Sequence, residues 1–213
     1  ARCPAPSSMW YLSSWRCSPK WIRHPEPTGS RRATPPLQKF NIDRDIPAPP
    51  APINVGALPL FRLIIETGAV NPANYNAMWI HGEALQGGSR NQLELPRGGH
   101  RFFGFLFTQY DYPHNLTIGE PILRSGARAW NDRRLTWHGN NRMERMNLPT
   151  AAQGGFEYAD TAVMFRRLGD GSFELIVTPW DSDLARSWRQ ASAQRQTLFR
   201  LGTVATSRIV GLL

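Results

Sequence analysis

Apolar positions along this chain do not keep a single rhythm. Across residues 1–58 neither a helical nor a strand period is sustained, and prolines cluster at Pro47-Ala48-Pro49-Pro50-Ala51-Pro52, so the segment reads as an extended N-terminal arm or linker. From residue 59 onward short apolar runs alternate with turn residues. Strands are expected near residues 75–81, 92–95, 101–110, 115–118, 128–137, 160–168 and 173–178. The last two are joined through Gly169-Asp170-Gly171-Ser172, whose Asp-Gly step favours a tight hairpin. Seven short strands over residues 59–213 predict one mainly β domain with a few helices, of barrel or sandwich type.

Two helices complete that pattern. Residues 58–69 form a short candidate that stops before Asn71-Pro72. Residues 184–200 form a longer one, with Asp181, Ser182 and Asp183 offering N-cap oxygens and Gly202 a C-cap. Leu184, Trp188, Ala191, Leu198 and Leu201 would fall near one face, leaving Arg186, Arg189, Arg195 and Arg200 to solvent.

Charge adds a partner class to this outline. Lysines and arginines number 25 against 16 acidic residues, a formal net charge of +9, and all but Lys20 and Lys39 are arginine. The excess fits a polyanionic partner or simply a basic surface; the arginine preference favours nucleic acid, because a guanidinium forks onto two acceptors at once. In the arm, Trp10, Trp15 and Trp21 interleave with Arg16, Lys20 and Arg23, a composition suited to stacking on bases or to packing on the domain itself. The two cysteines, Cys3 and Cys17, both lie in the arm, and no run approaches the roughly 18 apolar residues that cross a membrane. With no apolar stretch resembling a secretory signal, a reduced, cytoplasmic setting is expected.

Catalytic patterns are scarce. No Gly-x-Ser-x-Gly, HExxH or P-loop occurs, and from residue 59 onward there is no lysine to accompany metal-binding carboxylates in the usual nuclease arrangement. Asp181 and Asp183 sit where a helix cap is expected, and Gly87-Gly88 and Gly98-Gly99 suit turns. Neither a cofactor nor a metal site is expected. His114-Asn115 and His138-Gly139-Asn140-Asn141 leave a complete nuclease with an unrecognised active site as one alternative, and a basic RNA- or ribosome-associated structural protein is another.

The densest chemistry lies between Arg124 and Arg145. Arg124, Arg128, Arg133, Arg134, Arg142 and Arg145 stand against Asp132 and Glu144, with Trp130, Asn131, Trp137, Asn140 and Asn141 between them. Arginine pairs with guanine O6 and N7, asparagine with adenine N6 and N7, and aspartate accepts from cytosine N4. A carboxylate among arginines either reads a base amine or belongs to a surface ion-pair network. A second candidate arm is the glycine-containing loop His81–Asn91, which offers Ser89, Arg90 and Asn91.

Taken together, Asn131-Asp132-Arg133-Arg134-Leu135-Thr136 with Gly139 beyond, Gly87-Gly88 before Leu93-Glu94-Leu95-Pro96, and the Asp170-Gly171 hairpin leading into Trp180-Asp181-Ser182-Asp183 resemble the N-terminal effector-binding domain of EcoRII-type restriction endonucleases. The resemblance covers about residues 59–213. It implies a B3-like DNA-binding pseudobarrel whose two arms grip duplex DNA in the major groove at a short CCWGG-like site, without metal. Cleavage would belong to a separate C-terminal catalytic domain of the same protein. It places Arg128, Asp132, Arg133 and Arg134, with Trp130 and Asn131 between, at the recognition positions of one arm, and Ser89, Arg90, Asn91 and Glu94 in the other. Trp130 stands where that family has arginine, and Ser89 and Glu94 where it has histidine and tyrosine, so the target sequence need not be the same.

Overall fold

The computed structural model describes residues 52–82, 85, 91–202 and 208–213, all within one compact unit, Ala48–Leu213. Among these residues the protein is mainly β, with eleven strands in two sheets and two α-helices. The tryptophan-rich part of the arm, Ser89 and Arg90 lie outside the described residues. The end of the arm that is described, with Ile53, Val55 and Leu58, packs onto the core.

The larger sheet is built around strands with no polar face. β1 (Ala77–His81) is buried at every position and β8 (Thr161–Arg167) over its first five. Such strands need cover on both sides. They pair antiparallel at the centre of a seven-stranded sheet, whose order is β10 (Leu198–Arg200), β11 (Ile209–Leu212), β1, β8, β9 (Phe173–Pro179), β4 (Leu123–Ser125) and β5 (Arg128–Trp130). Alternation then sorts the side chains. Ala77 and Trp79 join Ala162, Met164 and Ile209 on one face, where α2 (Asp183–Gln194) supplies Ala185 and Trp188. Met78 and Ile80 join Val163, Phe165 and Val210 on the other. Trp79 donates its indole N–H to Ser192 Oγ of α2 at 3.0 Å, and a Cβ on Gly211 would come within 2.4 Å of that nitrogen, so only glycine fits opposite.

The second face is covered by a four-stranded antiparallel sheet, ordered β2 (Gln92–Leu95), β7 (Met143–Asn147), β6 (Leu135–His138) and β3 (Leu116–Gly119). Here every second residue of β2, β6 and β7 turns inward; Leu93, Leu95, Leu135 and Met146 enter the core shared with the larger sheet. α1 (Phe61–Glu66) adds Phe61 and Ile65 to that core.

Several expectations match. The β8–β9 hairpin turns at Gly171 with φ +81°, and Asp170 Oδ1 accepts from Ser172 N at 3.0 Å. Ser182 caps α2 by accepting from Ala185 N at 3.1 Å. Others are corrected. The strand expected at 101–110 is replaced by a 3₁₀ turn, Gly99–Phe103, bounded by left-handed Gly98 and Gly104. Glu144 fixes it: its buried carboxylate accepts from Gly98 N, His100 N and, across the pair, the His100 ring at 2.9 Å. The strand expected over 128–137 breaks into β5 and β6, which belong to different sheets. The helix expected at 184–200 stops at Gln194, because Gln196 turns left-handed (φ +57°) and residues 198–200 pair with β11 instead. The helix expected at 58–69 shortens to Phe61–Glu66.

Candidate nucleic-acid interface

Residues 131–134 carry the chain from one sheet to the other, and apolar anchors hold both ends. Trp130 closes β5 as a buried core residue with its indole N–H on Gln153 O at 3.0 Å; Leu135 opens β6 fully buried. Between these anchors Asn131, Asp132 and Arg134 are exposed and Arg133 turns inward, 6% exposed.

Each nitrogen of the Arg133 guanidinium donates to a protein acceptor. Its Nε donates to Asp132 Oδ1 at 2.8 Å, Nη2 donates to Asp132 Oδ2, and Nη1 donates to Gln153 Oε1 at 3.0 Å. Gln153 is itself fixed by a capping box, its Oε1 also accepting from Thr150 N at 3.1 Å. The result is a carboxylate held from behind by a fork, with its outer lone pairs facing solvent. Hydrogen bonding from Arg133, ahead of the smaller opposing effect of burial, holds the Asp132 carboxyl below the usual 3.8.

This fork forms one wall of an open cleft of about 440 Å³. Arg134, Asn91, Gln92, Asn147, Thr150 and Gln153 complete the lining, so no apolar side chain lines it. Asn91, from the segment before β2, therefore shares a site with residues 132–134. Its role is partly architectural: Nδ2 donates to Leu148 O at 3.0 Å, and its carbonyl accepts from Leu148 N at 2.6 Å.

Of the other expected residues, Arg134 is in the lining, whereas Arg128, Glu94 and Trp130 lie outside it. Arg128 is exposed and donates from Nη1 to Gly154 O, its guanidinium lying where a Cβ on Gly154 would need to be. Arg134 extends to solvent with Nε 3.2 Å from Glu120 Oε1. Glu94, on the same face of β2 as Gln92, is held in an ion pair with Arg208 at 2.7 Å. Trp130 is a buried anchor of the wall.

Sequence reading missed Gln92, Asn147, Thr150 and Gln153. Thr150 and Gln153 come from the turn that bonds Arg133, and Gln92 and Asn147 meet in the cleft because β2 and β7 pair with the two opposite each other. Beside them Arg145, on β7, donates from Nη1 to Gln92 Oε1 at 3.0 Å and lies opposite Thr136 of β6. At the end of β6, burial and then the Arg145 charge push His138 below the usual imidazole value. Among the described residues no three His, Cys, Asp or Glu side chains converge as a metal site requires, and no helix is long and apolar enough to cross a membrane.

No protein-family model matches the chain, and none of the curated proteins matches it.

Proposed function

We propose that the domain is a sequence-specific recognition module for double-stranded DNA, B3-like in architecture and part of a restriction endonuclease of the EcoRII type, with cleavage assigned to a separate catalytic domain. The observation that carries this reading is the Asp132–Arg133 fork on the wall of a wholly polar cleft that also contains Asn91. A carboxylate beside DNA is repelled by phosphate unless a cation neutralises it, and Arg133 supplies that cation while leaving the outer lone pairs to accept from cytosine N4. Arg133 then acts through Asp132, and exposed Arg128 and Arg134 contact phosphate or guanine. Trp130 anchors the arm, and the net charge of +9 favours approach to the duplex. Binding needs no metal, and a cytoplasmic location fits this role.

Selection from a random duplex library by the full chain, at fixed salt with EDTA, tests the proposal. Enrichment of a short motif, weakened at one position by Asp132→Ala, supports it. No enriched motif overturns it; metal-dependent cleavage would favour the complete nuclease, and preference for single-stranded RNA the RNA-associated reading.

A further inference from the structure

The cleft contains two kinds of polar group, those engaged within the protein and those left for a ligand. Asn91 Nδ2, Gln153 Oε1 and each guanidinium nitrogen of Arg133 have partners within the protein. Two half-buried amides of the lining are not so matched. Gln92 donates to nothing among the described residues, and the Asn147 side chain makes no hydrogen bond to any of them, although its backbone N–H is held by Arg134 O at 3.0 Å. They face each other directly across β2 and β7.

Gln92 is also pre-oriented. A guanidinium only donates, so the atom 3.0 Å from Arg145 Nη1 must be the amide oxygen, which fixes an assignment that amides otherwise leave ambiguous. That oxygen keeps a second lone pair, and the NH₂ group is left with both donors. An acceptor beside a donor pair is the complement of the adenine major-groove edge, which offers N7 as acceptor and N6–H as donor. Arg145 is held in turn by a contact from Nη2 to Met143 Sδ at 3.3 Å, so the glutamine loses little freedom on binding.

We infer that Gln92 and Asn147 are specificity-determining residues that read the adenine edges of A·T pairs from the cleft, with Arg145 a positioning residue for Gln92. This rests on the DNA-recognition reading above. It adds base discrimination by two residues of the sheet itself to the reading by Asp132 on the arm.

The test compares selected motifs for the full-length wild type, Gln92→Ala, Asn147→Ala, Gln92→Glu and Arg145→Leu, with thermal melting confirming that each is folded. For the wild type, the motif contains one A·T pair for Asn147 and one for Gln92, and preference at each falls roughly tenfold in the matching alanine variant while affinity for random duplex changes far less. Gln92→Glu, which keeps the contact with Arg145 and loses the donor to N7, shifts preference at its pair from adenine towards cytosine. Replacing that adenine by 7-deaza-adenine weakens wild-type binding and leaves Gln92→Ala indifferent. Arg145→Leu loses preference at the Gln92 position alone, and adding it to Gln92→Ala produces no further loss; a merely structural arginine would weaken all positions alike. If the wild type selects a motif and both alanine variants select the same motif with equal strength, this inference falls and DNA recognition stands. If the wild type selects nothing, both fall.

Discussion

β1 and β8 of the larger sheet are buried on both faces, whereas β2, β6 and β7 of the smaller sheet bury every second residue and leave the rest at the surface. At the centre of the larger sheet the polar atom of Trp79 serves the fold, its indole N–H donating to Ser192 Oγ of α2. In the smaller sheet the inward positions complete the shared core, and the outward ones, Gln92, Asn147, Arg145 and Thr136, make a polar surface continuous with the cleft. A strand between a helix layer and another sheet has no face free for a ligand; a strand on the outer layer has one. The division of labour between stability and recognition follows from layer position.

The sharpest way to break this division is to cut each sheet at its inward side. Trp79→Ala removes a fully buried indole between the larger sheet and α2, together with its hydrogen bond to Ser192 Oγ, and should cost about 3–5 kcal/mol by chemical denaturation. Binding is lost only as the folded fraction is lost. Next comes Glu144→Gln, an inward residue of the smaller sheet. The buried carboxylate accepts from two backbone N–H groups and faces the His100 ring. An amide presents a donor to at least one of these partners, so a loss of roughly 1–3 kcal/mol is expected, with melting again the measurement. If Glu144→Gln left stability untouched but abolished DNA selection, the assignment of inward positions to stability would be wrong.

A variant of the wall tests the boundary between the two roles. Arg133→Leu keeps the site filled but removes the fork. The Asp132 carboxyl should then titrate higher, back towards 3.8, because its depression comes first from the Arg133 hydrogen bonds. The sign is fixed: a depressed carboxyl contributes its ion-pair stabilisation above its unfolded value and loses it as pH falls through the folded value. Carboxyl chemical shifts followed against pH measure this, and DNA preference should weaken at the Asp132 position about tenfold.

Local signals made part of this legible from sequence, and non-local partners concealed the rest. The Gly169–Ser172 turn and the Ser182 cap are satisfied within a few residues, so both could be read. β7 was hidden because Glu144 occupies an inward position where an apolar residue would have revealed the alternation; its partners are the amides at Gly98 and His100. Residues 198–200 fit a helical face equally well, and only pairing with β11 near the chain's end decides against it. In the site, the charge pattern singled out residues 131–134 but could not place Arg133 inside, since burial is compensated by Gln153 from a separate turn. Gln92 and Asn147 carry no local signal at all, because what makes them a pair is register across two strands.

The smallest expected effect lies at the outward end of β6. His138 is held below 6.5, first by burial and then by the charge of Arg145. A histidine depressed in this way favours the fold when neutral, so its contribution is present above pH 6.5 and is lost as pH falls through that value and protonation of the unfolded chain begins. Arg145→Gln removes the lesser cause and keeps the greater, so the imidazole titration followed by NMR should rise part of the way towards 6.5 and stop short of it. A full return to 6.5 would mean that charge outweighs burial on this face and that the outward side of the smaller sheet is more open to water than its half-buried positions indicate. An unmoved titration would separate Arg145 from His138, leaving the contact with Gln92 as the role of this arginine on the recognition face.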